Sequence, residues 1–146
     1  MKISEVINQS LIETIVELEK YCFGEAPWNA SMIEAAIESP FRHVFALSKD
    51  RKYVGYAIMQ IISGEGEIER IGVHPSYRGQ SLGKYLVLEI LNEQQLETCF
   101  LEVNENNQVA RNLYVSCEFE EVGKRHAYYH DGADAIMMKW KRTTND

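Results

Sequence analysis

A change of hydrophobic period between residues 43 and 103 constrains this chain more than any other feature. His43 to Ser48 and Tyr53 to Ile62 are β-rich runs around the polar turn Lys49-Asp50-Arg51-Lys52, the pattern of a hairpin. A second turn, Ser63-Gly64-Glu65-Gly66, leads into a third strand from Glu67 to Val73. After a loop from His74 to Ser81 the period becomes helical, with Leu82, Leu86, Val87, Ile90 and Leu91 on one face. Cys99 to Val103 then returns to strand. Strand, loop, helix and strand in that order place the middle of the chain in a mixed α/β domain.

The flanks fit the same architecture. Met1 to Val6 reads as a short strand, and Leu11, Ile12, Ile15, Val16 and Leu18 share a helical face that the sequence GEAPWN ends after Cys22. Ser31 with Glu34 three residues later predicts a capping-box start for a second helix, and Pro40 stops it. Asn107 to Cys117 reads as a helix, and Phe119 to Arg125 and Ala135 to Trp140 as closing strands. With no repeat or linker, the order βαα-βββ-α-β-α-ββ predicts one α/β domain over residues 1–146, a mixed central sheet flanked by helices on both faces.

Composition narrows the partners. Of the 146 residues 45% are apolar and 25% charged, a globular balance rather than a disordered one. A net charge of −7 argues against nucleic acid or an anionic membrane as main partner and is compatible with a cationic substrate. The most apolar stretch, Tyr53 to Ile62, is about half the ~20 residues a membrane helix needs, and Glu5 interrupts the N-terminus where a signal peptide would be apolar. Cys22, Cys99 and Cys117 show no metal spacing, and His126 and His130 flank Tyr128 and Tyr129 in a segment that does not read as helix. No metal site is expected, and the thiols read as reduced ones in a cytoplasmic protein.

The informative segment is Ile71-Gly72-Val73-His74-Pro75-Ser76-Tyr77-Arg78-Gly79-Gln80-Ser81-Leu82-Gly83-Lys84. A strand ends, Pro75 prevents its continuation, and Gly79 and Gly83 open a helix whose first-turn N–H groups have no internal partner. Free donors and the helix dipole make such a turn an anion site, glycine lets a phosphate approach, and Arg78 and Lys84 add charge. The turn is neither a Walker loop nor G-x-G-x-x-G, so as a glycine-bearing turn alone it can equally be a plain loop.

V-x-P-x-x-R-G-x-x-L-G, followed a helix and a strand later by Asn107, Ala110, Leu113 and Tyr114 as N-x-x-A-x-x-L-Y, resembles the GCN5-related N-acetyltransferase superfamily. Pro27-Trp28, Leu101-Glu102-Val103, and Tyr128-Tyr129 ahead of Asp131-Gly132 and Asp134-Ala135-Ile136 make it most similar to the ribosomal-protein-alanine N-acetyltransferase group. These features cover nearly the whole chain.

The resemblance implies direct attack of an amine, such as a protein N-terminus, on the thioester of acetyl-CoA, with no metal. Ile71, Gly72 and Val73 would then offer backbone groups to the pantetheine and thioester. Arg78, Gly79, Gln80, Ser81, Leu82, Gly83 and Lys84 would wrap the pyrophosphate, and Asn107 would also contact the cofactor. Glu102 matches the general base, Tyr114 the general acid, and Tyr128 and Tyr129 the residues that hold the acceptor. Three departures stand out. Ser81 replaces a usual glycine, and a serine can donate its N–H there with φ below zero. Glu118 replaces a helix-ending glycine of positive φ, a conformation glutamate disfavours by roughly 1 kcal/mol. Glu69-Arg70 replaces a neutral pair next to the acceptor site.

The residues themselves leave alternatives. Glu102, charged within the apolar Phe100-Leu101-Glu102-Val103, either faces solvent by alternation or lines a cleft. Tyr114 shares a helical face with Ala110, Leu113 and Cys117, as a core tyrosine also would. The resemblance also makes Glu69 a rival base or an acceptor-binding residue, since many members of the superfamily carry their base on this strand. Alternation puts Glu67, Glu69, Ile71 and Val73 on one side, the side of the cofactor-contacting positions. Tyr128 and Tyr129 can be plain surface aromatics, and Glu65, Glu67 and Glu69 a solvated face or an attraction for a cationic N-terminus. Two other readings remain: acetylation of a small amine, and a non-catalytic acyl-CoA-binding interaction domain.

Overall fold

The computed structural model describes residues 1–24 and 26–143. Seven strands form one sheet in the order β1-β2-β3-β4-β5-β7-β6. They are β1 (Lys2–Glu5), β2 (Arg42–Lys49), β3 (Lys52–Ile62), β4 (Glu65–Val73), β5 (Thr98–Asn104), β6 (Glu120–Arg125) and β7 (Ala135–Lys141). Neighbours pair antiparallel except β4 with β5, which run parallel because the chain crosses between them through a helix. Four helices cover the sheet: α1 (Ile12–Cys22), α2 (Ala30–Glu38), α3 (Leu82–Glu93) and α4 (Gln108–Ser116). The predicted element order and fold class hold.

The helices pack their apolar faces on the sheet from both sides. Ile15, Leu18, Ile33 and Ala36 of α1 and α2 pack with Val44, Tyr56 and Ile58 on one face of the sheet. Leu86, Val87, Ile90, Leu91 and Tyr114 of α3 and α4 pack with Leu101, Val103, Ile136 and Met138 on the other.

Some local expectations change. Asn29, not Ser31, caps α2, its Oδ1 accepting from the Met32 N–H at 3.0 Å, and Ser31 lies inside the helix. β4 begins at Glu65, two residues earlier than predicted. A bulge at Glu69 breaks the alternation of β4: Ile58 pairs with Arg70 and Met59 with Ile68, leaving Glu69 as the extra residue. Ile68, Ile71 and Val73 therefore all pack toward α3 and α4, and the expectation that Glu67, Glu69, Ile71 and Val73 share one side is wrong.

The same bulge marks the end of the β4–β5 ladder. Pairing runs only from Glu65 with Thr98 to Ile68 with Leu101. Beyond it the two strands part, and the edge of β4 that faces β5 has no strand beside it.

α4 ends in a Schellman motif. The Phe119 N–H donates to the Tyr114 carbonyl at 3.0 Å and the Glu118 N–H to that of Val115 at 2.9 Å. The Phe119 ring packs 5.9 Å from that of Tyr114, so this turn also fixes Tyr114. Glu118 has φ +71°, the conformation expected at this position. Glu118→Gly should therefore relieve about 1 kcal/mol and raise Tm by about 2–4 °C. Calorimetric melting checks this, and an unchanged Tm would mean that residue 118 carries no strain.

Candidate active site

The parting of β4 and β5 opens a cleft of about 890 Å³. Glu69, Arg70 and Ile71 with Cys22, Phe23, Gly24 and Ala26 form one wall, and Glu102, Val103 and Asn104 with Tyr128, Tyr129 and Asp131 form the other. Asn107, Ala110 and Tyr114 close it from α4. Seven of the expected site residues (Glu69, Ile71, Glu102, Asn107, Tyr114, Tyr128 and Tyr129) thus line one space.

The sheet assigns them to opposite sides. Leu101 and Val103 of β5 pack against α3 and α4, so Glu102 between them projects to the face of α1 and α2. Tyr114 enters from the α3 and α4 side, where it is both part of the core and part of the cleft lining. Burial pushes its phenol above the usual tyrosine range, so it stays protonated.

Glu102 lines the cleft rather than solvent and pairs with Arg125, Nε to Oε1 at 2.9 Å, with side-chain exposures of 24% and 54%. Arg125 lies 5.8 Å from the Tyr128 ring, which meets Tyr129 edge-on at 5.1 Å. The Tyr129 phenol is raised first by burial and then by the charge of Glu102. Sequence reasoning missed Arg125, and its lone signal was a cation directly before the His126-Ala127-Tyr128-Tyr129 turn.

Glu69 is occupied differently. Both its oxygens accept from Arg42, Nε at 2.9 Å and Nη2 at 3.0 Å. A carboxylate held by a bidentate guanidinium has both oxygens engaged, which leaves neither free to take a proton from an acceptor. Behind it lies a network the sequence reading also missed. Glu19 is 0% exposed and accepts from Arg70 Nη2 at 2.6 Å, from the Trp28 N–H at 2.7 Å and from the Tyr56 hydroxyl. The signal was a carboxylate four residues after Ile15, on the apolar face of α1.

The glycine-bearing loop lies beyond the end of β4, outside the cleft lining. Gly79 has φ +81° with nothing within 4 Å of an added Cβ, so its glycine serves the backbone conformation. Ser81 caps α3 at φ +59°, which corrects the expectation of a negative φ. The side chain of Leu82 is buried in the core, leaving only its backbone to a ligand. A Cβ on Gly83 would meet Leu113 at 3.2 Å, so this close approach is to α4 and not to a phosphate. The Gln80 amide oxygen accepts from Lys49, which ties the loop to the β2–β3 hairpin. Arg78 Nε donates to the Val73 carbonyl at 3.1 Å and Cys22 Sγ to the same oxygen at 3.5 Å.

The start of α3 still carries free N–H groups beside Arg78 and Lys84, so the residues suit a diphosphate. The unpaired edge of β4 suits a ligand that offers its own amides. Asn107 caps α4 by accepting from the Ala110 N–H at 3.1 Å, which leaves its amide group free to donate. Among the described residues no cluster of His, Cys, Asp or Glu can hold a metal ion, and no helix is long and apolar enough to cross a membrane.

The sequence model of the Acetyltransferase (GNAT) family matches residues 12–119. The N-alpha-acetyltransferase RimI of Mycobacterium tuberculosis is 35% identical over 129 residues, 84% of this chain and 82% of that protein. The [ribosomal protein bS18]-alanine N-acetyltransferase of Haemophilus influenzae is 30% identical over 132 residues, 88% of each chain. The crystal structure of the ribosomal-protein-S18-alanine N-acetyltransferase from Escherichia coli superposes with a TM-score of 0.88 at 27% identity, covering 99% of this chain and 96% of that one. With that cleft and these relatives, the chain belongs to the GNAT acetyltransferase family and is an acetyl-CoA-dependent N-acetyltransferase.

Proposed function

We propose that this enzyme acetylates the N-terminal α-amine of a protein in the cytoplasm, a ribosomal-protein alanine being the reference acceptor. The observation that carries the reading is the division of the cleft by the sheet. Glu102 stands on the α1–α2 side and Tyr114 on the α3–α4 side of one opening. The loop Arg78 to Lys84 leads into α3, so the donor enters on the side of Tyr114. The other mouth, beside Glu102, is left to the amine. The names of the relatives support the acceptor class.

Acetyl-CoA supplies the acetyl group as a thioester. Glu102, acting through water, takes the proton from the arriving ammonium. At pH 7 that step costs about 1 kcal/mol for an α-amine of pKa 7.7–8.0 and about 4.6 for a lysine near 10.4, so one carboxylate suffices for the first. The edge of β4 orients the thioester. Tyr114, kept protonated by burial, donates to the departing thiolate. Arg125 pairs with Glu102 and fixes its position before the acceptor arrives, and Tyr128 and Tyr129 flank the acceptor.

A peptide with an N-terminal alanine and an internal lysine should be acetylated at the terminus, as read from fragment masses. Modification of the lysine, or turnover of spermidine but no peptide, would reject the acceptor assignment. Glu102→Gln should lower kcat about 10²-fold with CoA affinity kept, and the loss should shrink as pH rises because more of the amine is already neutral. Tyr114→Phe should slow turnover with little change in Tm, whereas a purely packing tyrosine would leave kcat intact. Collapse of kcat in Glu69→Gln but not in Glu102→Gln would move the base role to Glu69. Arg78→Ala should weaken CoA binding about tenfold by calorimetry, the worth of one charge-assisted contact.

A further inference from the structure

Glu19 occupies a position that an isolated helix would not choose for a carboxylate. It lies in the last turn of α1, where the carbonyl ends of the helix already concentrate negative charge, and it is wholly buried. Such a group is retained only with its charge matched and its oxygens hydrogen-bonded. Arg70 supplies the match from β4, 51 residues away, through Nη2 at 2.6 Å and Nε at 3.3 Å.

Arg70 also grips the segment that follows α1. Its Nη2 donates to the Ala26 carbonyl at 3.0 Å, and its guanidinium lies 3.8 Å from the Phe23 ring and 5.6 Å from that of Trp28. Glu19 accepts from the Trp28 N–H, which completes the clamp. Phe23, Gly24, Ala26 and Arg70 form a wall of the cleft on the α1–α2 side, away from α3 and the loop that receives the donor. The residue after Arg70 is Ile71, the start of the donor-binding edge.

We infer that Arg70, held by Glu19, is the positioning residue for the acceptor: it fixes the wall made by Phe23, Gly24 and Ala26 against β4, so that the acceptor meets a preformed binding surface. This rests on the reading that the α1–α2 mouth admits the acceptor. Arg70 touches neither reacting atom. Its loss should loosen the acceptor and leave the donor and the chemical step nearly alone.

The test is steady-state kinetics with an N-terminal alanine peptide, varying peptide and acetyl-CoA in turn. The enzymes are wild type, Arg70→Met, Arg70→Lys and the double variant Arg70→Met/Glu19→Gln. The double variant is neutral and keeps an acceptor for the Trp28 N–H, so it folds even if Arg70→Met alone leaves an intolerable buried charge. Peptide KM should rise about tenfold or more in both Met variants, with acetyl-CoA KM and kcat within about threefold. Arg70→Lys, which keeps the charge but loses the fork and the stacking, should fall between. An unchanged peptide KM in a folded Met variant overturns the inference, as does a parallel rise in both KM values. If the wild type acetylates spermidine and no peptide, the protein-acceptor reading fails separately, and the same split measured with spermidine decides the clamp.

Discussion

Beyond Ile68 and Leu101 the ladder between β4 and β5 ends, and backbone groups on one edge of β4 are left without a strand. An unsatisfied peptide group sealed inside a protein costs about 1–3 kcal/mol, so such an edge is tolerated where water or a ligand reaches it. The bulge at Glu69 produces this arrangement with one extra residue, because it bends β4 as pairing stops. The cleft, the free edge and the turning of Arg70 toward α1 all follow from that residue.

Once the strands part, the sheet becomes the partition between two chemical sides. Alternation on β5 sends Leu101 and Val103 into the α3–α4 core and Glu102 to the other side, so the carboxylate and the buried phenol cannot be neighbours on one surface. Acetyl transfer needs a proton removed from one reactant and delivered to the other, and the roles proposed for Glu102 and Tyr114 would meet those needs from opposite sides of the sheet. The net charge of −7 says little about this. What matters locally is that Glu69, Glu102 and Glu19 each meet an arginine in a different geometry, bidentate at Glu69, through one oxygen at Glu102 and wholly buried at Glu19, which leaves each carboxylate differently free to act.

Helix faces and strand periods were legible because they depend on residues close in sequence. Leu82, Leu86 and Ile90 need only the helical repeat, and the turn at Lys49 to Lys52 only its polarity. Seven residues of the cleft lining were legible through the resemblance, Glu102, Asn107 and Tyr114 among them. The bulge was missed: Glu69-Arg70 puts two charged residues in a row between Ile68 and Ile71, a break in the alternation that a strict period-2 reading runs across, and the pairing with β3 shows the extra residue. The Glu19–Arg70 and Glu102–Arg125 pairs join residues 51 and 23 positions apart, and no local pattern encodes such a distance. Asn29 displaced Ser31 as the cap because both residue types suit the role and tertiary packing sets where α2 begins.

Ser81 and Glu118 show how little the fold needs glycine where the resemblance would put it. Both adopt left-handed backbone, at φ +59° and +71°. Each such residue costs roughly 1–2 kcal/mol, which burial of one large side chain in the α3–α4 core offsets. Leu82, next to Ser81, and Phe119, next to Glu118, are both buried in that core. Packing of the adjacent apolar residue therefore sets the turn, and the conformation follows whether or not it is comfortable. One strained turn starts α3 and the other seats Tyr114, so the core on the α3–α4 side, rather than local backbone preference, holds this side of the molecule in shape.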